Sequence, residues 1–191
     1  VASLIDNSIT ISDGNNDTHL SSAKVIISSG FTSGDTLILG SPGILDSTMI
    51  SDSTLSITGT AILLNYEEAL ESITYKSNSE DPTQYSPNRI ITWQVTDATG
   101  LTSSGVTNTI NIEAVNDAAV VSGIDTLIYT EQSTSKAIDD DTIDIEDADD
   151  TLLGGAIVKI ENTDTYSYIY DELSLSTQNN INGSYNASEQ T

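Results

Sequence analysis

Glu113-Ala-Val-Asn116-Asp117-Ala-Ala-Val120 decides how the rest of this 191-residue chain is read. Ahead of it Ile110, Ile112 and Ala114 alternate with polar residues as in a strand, and beyond it a similar pattern begins again. The stretch reads as a joint between two tandem modules. Asn116 and Asp117 supply side-chain oxygens at the place where acidic turns from both sides would converge.

Working outward, the second pattern matches the first position by position. Ile143 and Ile145 stand 134 places after Ile9 and Ile11, while Leu153, Ala156, Val158 and Ile160 stand 133 after Leu20, Ala23, Val25 and Ile27. One insertion or deletion in the acidic turn between them accounts for the difference. Self-similarity at such a spacing marks a repeat array. The expected organisation is a first module over 1–117 and the first half of the next over 118–191. The first copy has no counterpart of Asp125-Thr-Leu-Ile-Tyr129-Thr-Glu131, which reads as an opening strand, and the second has none of Leu55 to Val115. Each end is therefore expected to leave an unpaired sheet edge, to be filled by further chain or by neighbouring copies.

Within the first copy short strands are expected at Ser8–Ser12, Ala23–Ile27, Thr36–Leu39, Thr54–Gly59, Arg89–Thr96 and Thr107–Val115, divided by Gly-, Asn- and Asp-rich turns. Between Ala61 and Ile73 the apolar spacing changes to three and four, which predicts one short helix near 65–72. Trp93 shares a strand face with Ile91 and Val95 and is expected in the core. The fold class is all-β: a Greek-key β-sandwich with one short helix, followed by part of a second such module.

Charge narrows the partners. Twenty-nine acidic residues against five basic ones give a formal charge of −24, which excludes a phosphate-binding face and hence nucleic acid as a partner. The abundance of alternating β-branched residues argues against disorder despite that charge. Cysteine is absent, so rigidity is expected to come from packing and metal rather than disulfides. The apolar runs are too short to insert in a membrane. With neither a starting Met nor a signal-peptide pattern, the chain reads as a mature piece or an excised segment, and its composition suggests an extracellular surface protein.

Leu64-Asn65-Tyr66-Glu67, Trp93-Gln-Val-Thr-Asp97-Ala-Thr-Gly100, Val115-Asn116-Asp117-Ala-Ala-Val120 and Asp147-Ala-Asp149 stand in order along the chain. They resemble the ordered calcium motifs of cadherin repeats, and more fully the cadherin-like repeats of giant bacterial surface adhesins. Further similarity lies in Leu55-Ser-Ile-Thr-Gly59, and in Tyr66-Glu-Glu-Ala69-Leu70-Glu-Ser-Ile73-Thr-Tyr75. The resemblance implies that Glu67, Asn116, Asp117, Asp147 and Asp149, with Asp97 as a sixth, ligate Ca²⁺ between consecutive modules. Calcium takes six to eight hard oxygens at about 2.3–2.6 Å, and these side chains offer them. Asn65 in place of the family's Asp, and Ala118 and Ala119 in place of its Asn and Pro, imply fewer or weaker ions. Taken singly, each acidic residue also reads as an Asx-turn cap. Asp13-x-Asn15-x-Asp17 starts like an EF-hand loop, but Thr18 and Lys24 occupy positions that need Gly and Glu.

The implied function is that of a calcium-stiffened extracellular repeat of a cell-surface adhesin, acting as extender or adhesion rod. Its partners would be neighbouring modules, copies of itself, or cell-surface glycans or proteins. Two other readings stand beside it: a filament subunit completed by strands from neighbouring copies, and a carbohydrate-binding module displaying Tyr166, Tyr168 and Tyr170. No catalytic set is expected, because the single histidine, His19, lies in a polar stretch.

Overall fold

A computed structural model describes residues 2–14, 18–123, 126–138, 142–160, 171–176 and 179–185. The chain divides into two compact units, Val1–Asp149 and Asp150–Thr191. In the first, eight strands and one helix build the sandwich: β1 (Ser3–Leu4), β2 (His19–Ser29), β3 (Asp35–Leu39), β4 (Asp46–Ser51), β5 (Thr54–Ile62), α1 (Leu63–Glu71), β6 (Ile73–Ser77), β7 (Asn88–Asp97) and β8 (Val106–Asn111). A five-stranded antiparallel sheet runs β4-β5-β2-β7-β8, and a three-stranded one runs β1-β6-β3. The chain changes sheet at β1–β2, β2–β3, β3–β4, β5–β6 and β6–β7, so non-consecutive strands become neighbours. The all-β sandwich with one short helix is therefore the observed fold.

Alternation explains the core. Val25 and Ile27 from β2, Leu55 and Ile57 from β5, and Ile91 from β7 point inward to meet Leu37, Ile73 and Tyr75 from the smaller sheet. Leu20 and Ala23 are both buried although three residues apart. A bulge between Leu20 and Ser22 resets the register against both β5 and β7, and the Ser21 hydroxyl donates to the Asp97 carbonyl at 2.6 Å across it. Helix α1 carries the chain from one sheet to the other, and its Tyr66, Ala69 and Leu70 close the core at helical spacing. The Tyr66 hydroxyl donates to the Gly59 carbonyl at 2.6 Å. Gly30, at φ 75°, turns the chain out of β2 against the Asn88 carbonyl, where a Cβ would lie 2.0 Å from that oxygen. Gly30→Ala is therefore expected to lower the melting temperature, with strain of about 1–3 kcal/mol read from chemical denaturation.

One charged group sits wholly inside. Arg89 of β7 and Asp35 of β3 are both fully buried, with Nε donating to Oδ2 at 2.6 Å, and they join the two sheets. Tyr75 of β6 donates its hydroxyl to Asp35 Oδ1 at 2.6 Å, and the Thr32 N–H donates to Oδ2 at 2.8 Å. The guanidinium also donates to the Pro82 and Ser86 carbonyls at 2.6 and 2.8 Å. Each charge is thus paired and hydrogen-bonded, which is the condition under which a buried ion pair is tolerated.

Several local expectations change. Ser8–Ser12 is not a strand: Ile9 and Ile11 donate their N–H groups to the Glu71 and Glu67 carboxylates, so helix side chains satisfy that backbone instead of a neighbouring ladder. Strands β4 and β6 have no counterpart in the sequence reading, because β4 is exposed at every position and β6 directly follows the helical pattern. Trp93 is half-buried rather than interior; it packs against the core edge and donates Nε1–H to Asn108 Oδ1 at 2.8 Å.

Past the sandwich, β9 (Val120–Ser122) and β10 (Asp144–Glu146) form a two-stranded antiparallel sheet within the first unit. In the second unit the described residues carry no named helix or strand. Leu153, Ile157 and Val158 are exposed there. The stretch expected as a counterpart of β2 carries no strand over its described residues, 152–160. Tyr166, Tyr168 and Tyr170 lie outside the described residues, as do Asn15 and Asp17.

Candidate metal-binding joint

The small β9–β10 sheet positions the acidic joint. Glu146 pairs with Val120, so the chain leaving β10 into Asp147 and the chain entering β9 from Asp117 sit at the same end of the ladder. The Asp117 N–H donates to Asp149 Oδ2 at 2.7 Å, and the Asp149 N–H donates to Asp147 Oδ1 at 3.0 Å. Asn116 turns its amide back to the Asp117 carbonyl at 2.7 Å. Four of the six expected ligands therefore meet in one knot of linker and turn. Asp147 and Asp149 are half-buried, and Asn116 and Asp117 are exposed.

The knot is tied by backbone N–H groups rather than by converging carboxylates. Among the described residues no three acidic or histidine side chains converge as a metal-holding group. That arrangement follows from charge: carboxylates at short range repel, and Asp147 and Asp149 lower their energy by taking backbone donors. The oxygens present are nonetheless of the hard type that calcium takes.

Glu67 and Asp97 serve elsewhere. Glu67, on α1, accepts from Ile11 at 2.7 Å and holds residues 9–12 to the helix together with Glu71. Asp97 ends β7, where Oδ1 accepts from the Leu101 N–H at 2.9 Å and from the Thr99 N–H and hydroxyl, both at 2.8 Å. The Leu101 N–H first, and the Thr99 hydroxyl next, hold its carboxyl below the usual carboxylate range. Asp97 also lines a cavity of about 180 Å³ with Asp13, Ser12 and Thr102, so the first acidic turn approaches the end of β7.

The buried Asp35–Arg89–Tyr75 group escaped the sequence reading. Its three members are 54, 40 and 14 positions apart in the chain, and only the pairing of β3 with β6 and the packing of one sheet on the other bring them together. The one visible signal was an arginine at the same parity as Ile91, Trp93 and Val95, on the inward face of its strand, in a chain with five basic residues. Compared with family models, with curated proteins and with solved structures, the chain matches none.

Proposed function

We propose that this chain is an extracellular repeat module whose joint takes Ca²⁺ and stiffens a surface adhesin rod. The observation that carries the reading is the Asp117-to-Asp149 hydrogen bond, which seats the linker on the acidic turn 32 positions downstream. A divalent ion shared by Asn116, Asp117, Asp147 and Asp149 replaces carboxylate repulsion with attraction and fixes the linker to the turn. It also offsets part of the −24 charge that otherwise opposes compaction. No helix among the described residues is long and apolar enough to cross a membrane.

Calorimetry and calcium titration test the reading. At calcium a hundredfold above Kd the folded state gains about 2.7 kcal/mol, or roughly 5–10 °C in Tm for a chain of this size. Asp117→Asn combined with Asp149→Asn is expected to remove most of that rise while leaving the Tm in EDTA nearly unchanged. A Tm and a scattering-derived length indifferent to both calcium and EDTA would refute the calcium-stiffened joint.

A further inference from the structure

Strand β4 ends the five-stranded sheet, paired on one side with β5 and exposed at all six of its positions. The opposite edge, β8, borders a groove lined by Trp93, Ile9 and Ile11. Between Asp46 and Asp52 the stretch Ser47-Thr-Met-Ile-Ser51 carries no charge and no proline, and its one irregularity lies past the middle, between Met49 and Ser51. An edge strand without lysine or proline is a template for another strand. Met49 pairs with the buried Leu55 and Ser47 with the buried Ile57, so both have the parity of the core face. Met49 is nevertheless 39% exposed and Ser47 is exposed as well. The smaller sheet ends at β3, which packs against β5. The inner face of β4 therefore overhangs it.

A second β4 fits this edge, and the charges choose the register. Opposed side chains on paired strands share a face, so antiparallel self-pairing about a two-fold axis centres on Ser47, Thr48 or Met49. Centred on Ser47, the two Asp46 residues stand only about 7 Å apart along the strands. Centred on Met49, Asp46 meets Asp52 of the second copy, and like charges directly opposite are destabilising. Centred on Thr48, Asp46 lies beside Ile50 of the second copy. The two Asp46 residues are then roughly 13 Å apart, beyond the screening length of about 8 Å at physiological salt. In that register the inner row runs Leu55, Met49, then Ser47 and Ile57 of the second copy. Each Met49 covers an exposed Ser47, and the two overhanging ledges close on each other.

We infer that two copies of this chain pair β4 to β4, antiparallel about a two-fold axis through Thr48, and join their larger sheets into one of ten strands. The same strand serves on both sides, so the contact closes at a dimer and leaves no free β4. Asp46 is the one charged residue that each strand brings, so little of the −24 charge lies in the contact. The pairing uses no residue of the Asp117–Asp149 knot and leaves the β9–β10 ladder intact. It therefore stands whether or not the joint takes calcium, and it adds a side-by-side contact to the end-to-end one.

Sedimentation velocity of the whole chain across a concentration series at physiological ionic strength, with calcium and again with EDTA, tests this. A monomer–dimer equilibrium is expected in both, with no larger species. Thr48→Lys and Thr48→Glu each set like charges opposite one another across the axis, and each should stay monomeric. Thr48→Lys also lowers the net charge, so its failure to dimerise would not come from overall repulsion. Mixing the two variants sets Lys opposite Glu and should restore a dimer that holds one of each. Thr48 is exposed, so both variants should keep the wild-type urea midpoint. A wild-type chain that stays monomeric, a Thr48→Lys chain that still dimerises, a mixture that stays monomeric, or a dimer that forms only with calcium overturns the proposal.

Discussion

Arg89→Ala is expected to cost about 3–5 kcal/mol of folding free energy, read from urea denaturation. The loss comes less from the missing attraction than from what stays behind. Asp35 would remain fully buried as a charge, with its remaining donors from Tyr75 and Thr32 insufficient to replace the guanidinium. The Pro82 and Ser86 carbonyls would also lose their donors. Replacing both partners, Arg89→Met with Asp35→Leu, should recover much of the loss, since an apolar pair removes the orphaned charge. If Arg89→Ala unfolds at the wild-type urea concentration, the ion pair does not hold the sheets. Acid acts on the same group. Burial pushes the Asp35 carboxyl up, but hydrogen bonds from Arg89 first, then Tyr75 and Thr32, override it and hold the carboxyl below its ordinary value. A depressed folded pKa gives stability that is present above the unfolded value near 3.9 and is lost as pH falls below it toward the folded pKa.

Alkaline conditions should weaken the fold through two other buried groups. Burial pushes the Tyr66 hydroxyl up to about 12. Burial first, and the neighbouring Asp35 carboxylate second, push the Tyr75 hydroxyl up to about 12 as well. A raised folded pKa contributes stability that is complete below the unfolded value, near 10, and that disappears as pH rises toward 12. Each tyrosine accounts for about 2–3 kcal/mol over that window. Urea midpoints measured from about pH 9 to about pH 12 should fall steeply, with tyrosinate absorbance for these two residues appearing together with unfolding. Tyr66→Phe should start about 1 kcal/mol lower, because the Gly59 carbonyl loses its donor. It should then show a shallower alkaline decline. An unchanged slope in Tyr66→Phe would mean that its hydroxyl ionises without regard to the fold.

The strands that alternate cleanly were legible before the structure. Val25, Ile27, Leu37, Leu55, Ile57 and Ile91 all fall on buried faces, and the three-and-four spacing around Tyr66, Ala69 and Leu70 marked the helix. Strand β4 was not legible, since an edge strand exposed at every position needs no apolar pattern. Ser8–Ser12 misled for the opposite reason. It alternates like a strand, but its backbone donors are taken by two glutamates 56 and 62 residues away. The acidic joint was legible as a composition of oxygens, and the structure adds which of them lie together. Ladder pairing of Glu146 with Val120 joins Asp117 to Asp147 and Asp149, whereas Glu67 is drawn to the distant Ile11 N–H and Asp97 to donors in its own turn.

By itself the sequence determined the all-β class, the position of the one helix and most of the core faces, because each is written in local periodicity. Only the tertiary structure decided that Asp35, Tyr75 and Arg89 form one buried group and that Trp93 borders an open groove. Those depend on which distant strands pair and in what register, and a single chain's spacing carries no record of either.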